Sequence, residues 1–482
     1  MPDGGGSSRV AAWVGGLALL ALVLRLPGIE QSFSFDEAYG VANLLDRSLG
    51  SMLELLPRSE SSPPLHYVAA WGWGNLFGLG EGGVRSLSLL AGVATVPLAY
   101  LAGRELSGQC AGLIAAALVA VSPFLVFYSL EARPYSLLTL LGALSFWLFA
   151  RALRDPRGWP LALWALASAA ALATHYFAGF LVLAEALWLL VAARLSRPVL
   201  AATGVVVLAA AALLPLALRQ ADGRTGWIGE TGVITRARQT VTQFVVGEID
   251  PVSNLVFALV LTAGVVGMAF VLRGRAAQAL REAKVPLGVA AVALAVPLAL
   301  DLLGAHYLIA RNTIAALPVL LVGLGVLLAA APARRGAAFA VAACALGLAI
   351  SVASWFDPGL QRSDTRSAAG SLERSPTPVV VAPYLSSAQL AVYAPDYGRA
   401  APGITTTRVD VVEPLRRRGS PGPARAPTPA PPAGFVLTRR EDGEGYSRIS
   451  YRSATPRPLT QAETERLSPP QPPWGPVVLV RR

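Results

Sequence analysis

The sequence predicts an all-α polytopic membrane protein that carries a small α/β domain at its C-terminal end. Of its 482 residues, 54% are hydrophobic and only 14% are charged, whereas about 25% of an ordinary soluble domain is charged. Apolar stretches recur between Val10 and Trp355, and each is close to the roughly 20 residues that span a bilayer. From about residue 356 the composition changes to shorter β-type runs.

Eleven apolar segments are predicted to cross the membrane. A twelfth, residues 63–79, is short and combines tryptophan with glycine, which is typical of an interfacial or re-entrant helix. If it does not cross, the loop arginines collect on one side, as the positive-inside rule requires; if it crosses, every later loop changes sides. The eleven segments are 10–26, 84–103, 109–128, 132–153, 159–174, 176–195, 197–218, 254–272, 285–303, 311–331 and 336–355.

This topology predicts a multi-pass plasma-membrane protein with a cytoplasmic N-terminus and a first extracytoplasmic loop over residues 27–83. We expect a transmembrane domain over 1–355 and an extracytoplasmic C-terminal domain over 356–482. Two β-type runs, 378–382 and 476–480, predict strands of that domain. Between them, the Pro-, Ala- and Gly-rich stretch 419–434 indicates a flexible segment.

Charge and cysteine usage exclude several classes of protein. The net charge of +11 comes mainly from arginines in short loops and in the tail. This distribution favours membrane anchoring and contact with anionic lipid over nucleic-acid binding. Cys110 and Cys344 lie in apolar segments, so neither indicates a disulfide framework or a metal site.

Adjacent carboxylates follow the first apolar helix, at Asp36 and Glu37. Two carboxylates at a membrane surface are costly to desolvate and therefore point to a function. They could deprotonate an acceptor hydroxyl, or Asp36 could hold a divalent cation against a phosphate. A structural alternative is that Asp36 is the N-cap of a short helix.

Other candidate residues fall on the same predicted side of the membrane. Arginine suits a phosphate because its planar fork presents several donors, although an arginine at a helix end can also snorkel. The histidines and tyrosines could contact a ligand or anchor the interface, and their spacing does not indicate a zinc site. The candidates for binding a substrate or its phosphate are Arg85, Glu131, Arg133, Tyr135, His66, Tyr67, His175 and Arg311.

The order of these short motifs resembles the bacterial family 39 type glycosyltransferases, relatives of protein O-mannosyltransferases and aminoarabinose transferases. The resemblance covers roughly residues 10–330. It rests on the runs Phe-Asp-Glu-Ala-Tyr at 35–39, Pro-Pro-Leu-His-Tyr at 63–67, Arg-Ser-Leu-Ser at 85–88, Glu-Ala-Arg-Pro-Tyr at 131–135, Thr-His-Tyr-Phe at 174–177 and Ala-Arg-Asn-Thr at 310–313. Two departures are Ser62, where that family often has histidine, and the position of Pro318 after Arg311.

The resemblance implies a GT-C architecture with its active site at the extracytoplasmic face. It implies a polyprenyl-phosphate-linked sugar as donor and Asp36 as the catalytic or metal-associated carboxylate, with Glu37 beside it. The expected reaction is transfer to an acceptor hydroxyl of a glycan, lipid or protein, with inversion by direct displacement. The alternative is a transporter of lipid-linked sugars, which would place charged or broken helices at mid-membrane. No cofactor is certain, and no nucleic-acid partner is expected.

Overall fold

The chain forms two compact units, each described separately. The first contains residues up to 29, residues 48–248 and residues 254–353, and the second contains residues 30–47 and 354–482. The predicted first loop, 27–83, is therefore divided between the two units. The structure, a computed structural model, describes residues 4–221, 226–248, 254–374, 377–401, 403–415, 425, 427–443, 445–469 and 475–482.

The first unit is helical. Two short 3-10 helices, Leu26–Gly28 and Ala310–Thr313, interrupt it. Its α-helices are Gly4–Arg25, Leu49–Ser59, Leu65–Phe77, Glu81–Ser107, Gln109–Val121, Pro123–Tyr128, Tyr135–Ala152, Trp159–Thr174, Ala178–Ala192, Arg197–Gln220, Gly226–Gly229, Val233–Val246, Asn254–Val271, Ala276–Glu282, Lys284–Leu302, Ala316–Ala330 and Ala333–Phe356.

Six helices of the described residues are long and apolar enough to cross a membrane. They are Ser8–Gly28, Glu81–Ser107, Tyr135–Ala152, Arg197–Gln220, Lys284–Leu302 and Ala333–Phe356.

A seventh candidate is the pair Phe257–Val271 and Ala276–Glu282, which is bent by 103°. The shorter apolar helices are Gln109–Val121, Trp159–Thr174, Ala178–Ala192 and Ala316–Ala330. Each of the eleven predicted apolar segments overlaps one of these elements, so the predicted fold class is confirmed. The number of segments that cross stays a prediction.

Proline corrects two predicted helix boundaries. The segment 109–128 is not one helix: it ends at Val121, and a second helix starts at Pro123. Ser122, with ψ of 116°, is extended because a following proline disfavours helical backbone. Similarly, the helix predicted from residue 132 begins at Tyr135, directly after Pro134.

Small residues allow close approach between helices of the first unit. A Cβ atom added at Gly325 would lie 2.7 Å from the carbonyl oxygen of Ala111, and one at Gly103 would lie 2.9 Å from Cα of Gly112. These distances are too short for any side chain, so the helices concerned are in backbone contact. Such contacts are a general feature of helix packing in membranes.

The second unit combines a six-stranded sheet with short helices. The strands are β1 (Val379–Ala382), β2 (Tyr397–Ala400), β3 (Thr405–Pro414), β4 (Val436–Asp442), β5 (Tyr446–Pro458) and β6 (Val477–Arg481), in the order β2-β6-β1-β3-β5-β4. Only the β1–β3 pair is parallel among the described strands. The helical elements are Phe35–Gly40, Val41–Leu45 (a π-helix), Thr365–Arg374, Ser387–Tyr393 and Gln461–Leu467, with 3-10 turns at Pro358–Leu360 and Tyr384–Ser386.

Both faces of this sheet contribute to apolar clusters. Val380 and Ala382 pack in a cluster that includes Leu390, while Val379 and Val381 point into a separate one. Alternation of this kind follows from the two-residue period of a strand. The strands predicted at 378–382 and 476–480 are confirmed as β1 and β6, which pair with each other. Of the Pro-rich segment 419–434, residues 419–424 and 426 lie outside the described residues.

Candidate active site

The two acidic candidates open a short helix, Phe35–Gly40, in the second unit. Ser34 is its N-cap: the Ser34 hydroxyl accepts a hydrogen bond from the backbone N–H of Glu37 at 3.4 Å. In return, the Glu37 carboxylate accepts from the backbone N–H of Ser34 at 2.9 Å. This reciprocal arrangement is a capping box. The alternative assignment of Asp36 as the N-cap is therefore wrong.

The two adjacent carboxylates have different environments. Glu37 is only 1% exposed, and its Oε2 lies 3.6 Å from Nε of Arg362, itself a buried residue. Asp36 remains partly accessible to solvent. Glu37 thus caps the start of the helix and contacts Arg362, while Asp36 is the carboxylate that a substrate could reach.

A polar cavity of about 300 Å³ lies in the same unit. Residues on either side of it are joined by hydrogen bonds: the Ser32 hydroxyl donates to Asp364 at 3.1 Å and accepts from the backbone N–H of Arg366 at 3.2 Å. Arg362 belongs both to the cavity wall and to the ion pair with Glu37. The cavity is therefore connected to the acidic segment through one guanidinium.

An ion pair between Arg133 and Glu60 organises the polar residues of the first unit. Nη1 and Nη2 of Arg133 donate to the two carboxylate oxygens of Glu60, both at 3.0 Å. The side chains are 12% and 5% exposed, respectively. A buried bidentate pair of this kind fixes the orientation of the guanidinium plane. The sequence prediction singled out Arg133 and missed Glu60.

Aromatic rings surround the start of the helix Tyr135–Ala152. The Tyr135 ring lies 5.0 Å from that of Tyr128 and 5.7 Å from the imidazole of His175. The Arg311 guanidinium stacks over the rings of Tyr135 and Trp227, at 6.0 Å and 5.3 Å from their centroids. Tyr135, His175 and Arg311, predicted separately, are thus brought together.

The two buried histidines of this unit carry no charge at neutral pH. Burial, followed by repulsion from Arg133, lowers the pKa of His66 to about 3. The same causes, with Arg311 added, lower the pKa of His175 to about 3. An unperturbed histidine has a pKa of about 6.5. The positive charge of this region therefore comes from its arginines.

Three further candidates have largely structural surroundings. Arg85 is fully buried, and its Nη1 donates to the backbone oxygen of Ile29 at 3.0 Å. The Glu131 backbone oxygen accepts from the N–H of Arg133 at 2.8 Å, and its side chain is buried. Tyr67 is buried beside His66, with the two rings 5.2 Å apart. Their roles in substrate binding stay predictions.

Glu248 and Gln220 were also missed by the sequence prediction. The Tyr128 hydroxyl donates to Glu248 at 3.2 Å, and the Tyr176 hydroxyl donates to the amide oxygen of Gln220 at 2.7 Å. Each is a polar residue in or beside an otherwise apolar run, which is a signal the sequence does carry. Among the described residues, no group of three or more His, Cys, Asp and Glu side chains is placed to hold a metal ion. A cation at Asp36 stays a prediction.

Comparison with known proteins relates this geometry to one class of enzyme. A family model described as dolichyl-phosphate-mannose-protein mannosyltransferase matches residues 61–218. The fold is similar to the crystal structure of ArnT from Cupriavidus metallidurans in the apo state, with 11% identity and a TM-score of 0.54 over 92% of this chain and 98% of that chain. Among curated proteins, no relative matches.

The same ArnT bound to undecaprenyl phosphate gives 12% identity and a TM-score of 0.55, over 91% of this chain and 98% of that chain. At such low identity the likeness shows the fold. The family match and the ArnT-like fold together support a GT-C membrane glycosyltransferase. The resemblance predicted from the sequence motifs is confirmed at this level.

Proposed function

We propose that the chain moves a sugar from a polyprenyl-phosphate-linked donor to an acceptor hydroxyl at the extracytoplasmic face of the plasma membrane. The observation that carries this proposal is the ArnT-like fold, because that ArnT was crystallised with undecaprenyl phosphate. The acceptor is a hydroxyl of a glycan, a lipid or a protein.

In the proposed reaction, Asp36 is the general base. It takes the proton of the acceptor hydroxyl as the hydroxyl oxygen bonds to the anomeric carbon. The bond from that carbon to the phosphate oxygen breaks, and the polyprenyl phosphate leaves with the electron pair. Direct displacement inverts the anomeric centre. Glu37 positions the segment through its capping box and its contact with Arg362.

Positive charge for the departing phosphate is assigned first to Arg133 and Arg311. A guanidinium has five N–H donors, and Glu60 accepts two of those of Arg133. The carboxylate therefore orients the group for charge that develops as the phosphate leaves, which is how fixed donors accelerate a reaction. Arg85 is a weaker candidate because its guanidinium donates to a backbone carbonyl and is fully buried.

The test is an assay of purified protein in lipid with a panel of polyprenyl-phosphate-linked sugars. Consumption of one donor with a new glycosidic bond on a released acceptor supports the proposal. Movement of lipid-linked sugar across the bilayer without a new bond supports the transporter alternative and refutes it.

The proposed side of the membrane has a separate test. In a background without Cys110 and Cys344, Asp46→Cys and Ala132→Cys should both react with an impermeant maleimide applied from outside. Arg154→Cys, in a predicted cytoplasmic loop, is the control and should remain unlabelled. Labelling of Asp46→Cys and Ala132→Cys from opposite sides would contradict the assigned topology.

A further inference from the structure

The second unit has an arginine-lined cavity on the face formed by strands β3, β5 and β4. Its volume is about 240 Å³, and its arginines are Arg408, Arg439, Arg448 and Arg452. The hydroxyl-bearing residues Thr438 and Ser450 also line it. Arg448 and Arg452 share one face of β5, because they are four residues apart and side chains alternate between the two faces with a period of two.

The charges at one end of this cavity are compensated. Arg448 is only 3% exposed, and its Nε donates to the buried carboxylate of Asp410 at 2.8 Å. On β4, the residue opposite Arg448 is Glu441, which also lies 3.5 Å from Nη2 of Arg439. At this end of the cavity, Asp410 and Glu441 therefore provide carboxylates that pair with the arginines.

The other end combines like charges. Arg408 on β3 and Arg452 on β5 are direct cross-strand partners, and both line the cavity. Arg408 also contacts Asp410 at 3.6 Å, which Arg448 already shares. The β4 residue opposite Arg452 is Val436. Like charges directly opposite on neighbouring strands are destabilising, so an anion bound between Arg408 and Arg452 would relieve their repulsion.

We propose that this cavity is a binding site for a phosphoryl group. Guanidinium groups recognise phosphate oxygens through paired N–H donors, and a phosphomonoester carries about −1.5 to −2 charges at neutral pH. That negative charge would offset the repulsion between the cross-strand pair Arg408 and Arg452. The Ser450 hydroxyl, which also lines the cavity, is a further donor for a phosphate oxygen. The site is independent of the proposed transfer reaction, since it uses none of the residues assigned to that reaction.

The test uses the full chain in nanodiscs of zwitterionic lipid and inorganic phosphate as the probe. Hydrogen exchange of strand β5 and calorimetry are followed during titration, with chloride at equal ionic strength as reference. The expected result is saturable binding at one site with increased protection of β5. Arg452→Gln should weaken binding by about tenfold or more, because hydrogen bonds to a charged group are lost.

A second measurement, hydrogen exchange of β5 without phosphate, distinguishes a specific phosphate site from ordinary surface charge. Without phosphate and at low salt, Arg452→Gln should slow the exchange of β5, since it removes the repulsion with Arg408. Arg439→Gln, at a position whose side chain is 70% exposed, is a second variant that should also weaken phosphate binding. Arg374→Gln, an exposed arginine at the end of a helix in the same unit, is the matched control and should change neither result.

Nanodiscs that contain an anionic phospholipid identify the source of the phosphoryl group. Protection of β5 by that lipid, lost in Arg452→Gln, assigns a lipid headgroup, whereas protection by soluble phosphate alone assigns a soluble ligand. Equal effects of phosphate and chloride, or equal weakening by Arg374→Gln, would overturn the proposal, because both indicate charge screening.

Discussion

Arg133 and Glu60 should be energetically coupled, so that removing both partners of the ion pair costs less than the two single removals added together. The two hydrogen bonds are 3.0 Å long, and the side chains are 12% and 5% exposed. At this burial, removing one partner of the ion pair by Glu60→Gln or Arg133→Gln costs about 3–5 kcal/mol. The double variant leaves two neutral amides in place of the charges. It should therefore be less destabilised than the sum of the single variants, by about 2 kcal/mol.

The measurement is a double-mutant cycle by denaturant titration in mixed micelles. The control is the ion pair of Arg154 with Glu105, which has the same 3.0 Å separation but an Arg154 side chain that is 67% exposed. There, Arg154→Gln should cost only about 0–1 kcal/mol, as surface pairs do. Equal costs for the two pairs would show that burial does not govern the energy of the Arg133–Glu60 contact.

Activity of the same variants separates support of the fold from binding of the donor. If Arg133 stabilises the leaving phosphate, the double variant should fold yet transfer sugar about 10²–10³-fold more slowly. Recovery of both stability and rate in the double variant would refute the phosphate role and leave Arg133 a purely structural residue.

Three other variants test the packing and the electrostatics. Gly325→Ala should destabilise the first unit by about 1–3 kcal/mol, because its Cβ would meet the Ala111 carbonyl at 2.7 Å, whereas Gly204→Ala, with open space around it, should not; equal thermal shifts would contradict this. His175 stays neutral when folded, with its pKa lowered to about 3, so below about pH 6.5 only the unfolded chain takes up its proton. The free energy of unfolding should therefore decrease by about 1.4 kcal/mol for each unit by which the pH is lowered below that value. His175→Gln should reduce the decrease measured between pH 7 and pH 5. Glu37→Ala should lower the stability of the second unit by about 3 kcal/mol or more, measured by hydrogen exchange of Phe35–Gly40, because it removes both a cap and an ion-pair partner of the buried Arg362.

The hydrophobic pattern of the sequence is sufficient to predict where the helices and strands lie. It is insufficient to predict which of these elements pack or pair with each other. Apolar segments of near-spanning length predicted the helices, because hydrophobicity is a local property. The break at Ser122 and Pro123 was also readable in principle, since proline constrains the residue before it. The sheet order β2-β6-β1-β3-β5-β4 was not, because pairing depends on contacts distant in the chain.

The candidate site was predicted as a set of residue types, without their pairing. Arg133 was identified from its motif, but Glu60 lies 73 residues away and became relevant only through the fold. Glu37 was ranked beside Asp36 because they are adjacent, yet one is buried in a capping box and the other is partly exposed. The different roles of Asp36 and Glu37 become visible only from the backbone conformation of Ser34–Glu37.

The proposed sugar transfer depends on Asp36 as its general base. The most direct test compares the wild type, Asp36→Asn and the matched control Asp46→Asn, an exposed carboxylate of the same segment. Transfer from a polyprenyl-phosphate-linked sugar is measured in purified protein, with folding checked by hydrogen exchange. We expect the transfer rate to fall by about 10²–10⁴-fold in Asp36→Asn and to stay unchanged in Asp46→Asn. Transfer at the wild-type rate by folded Asp36→Asn protein would contradict it.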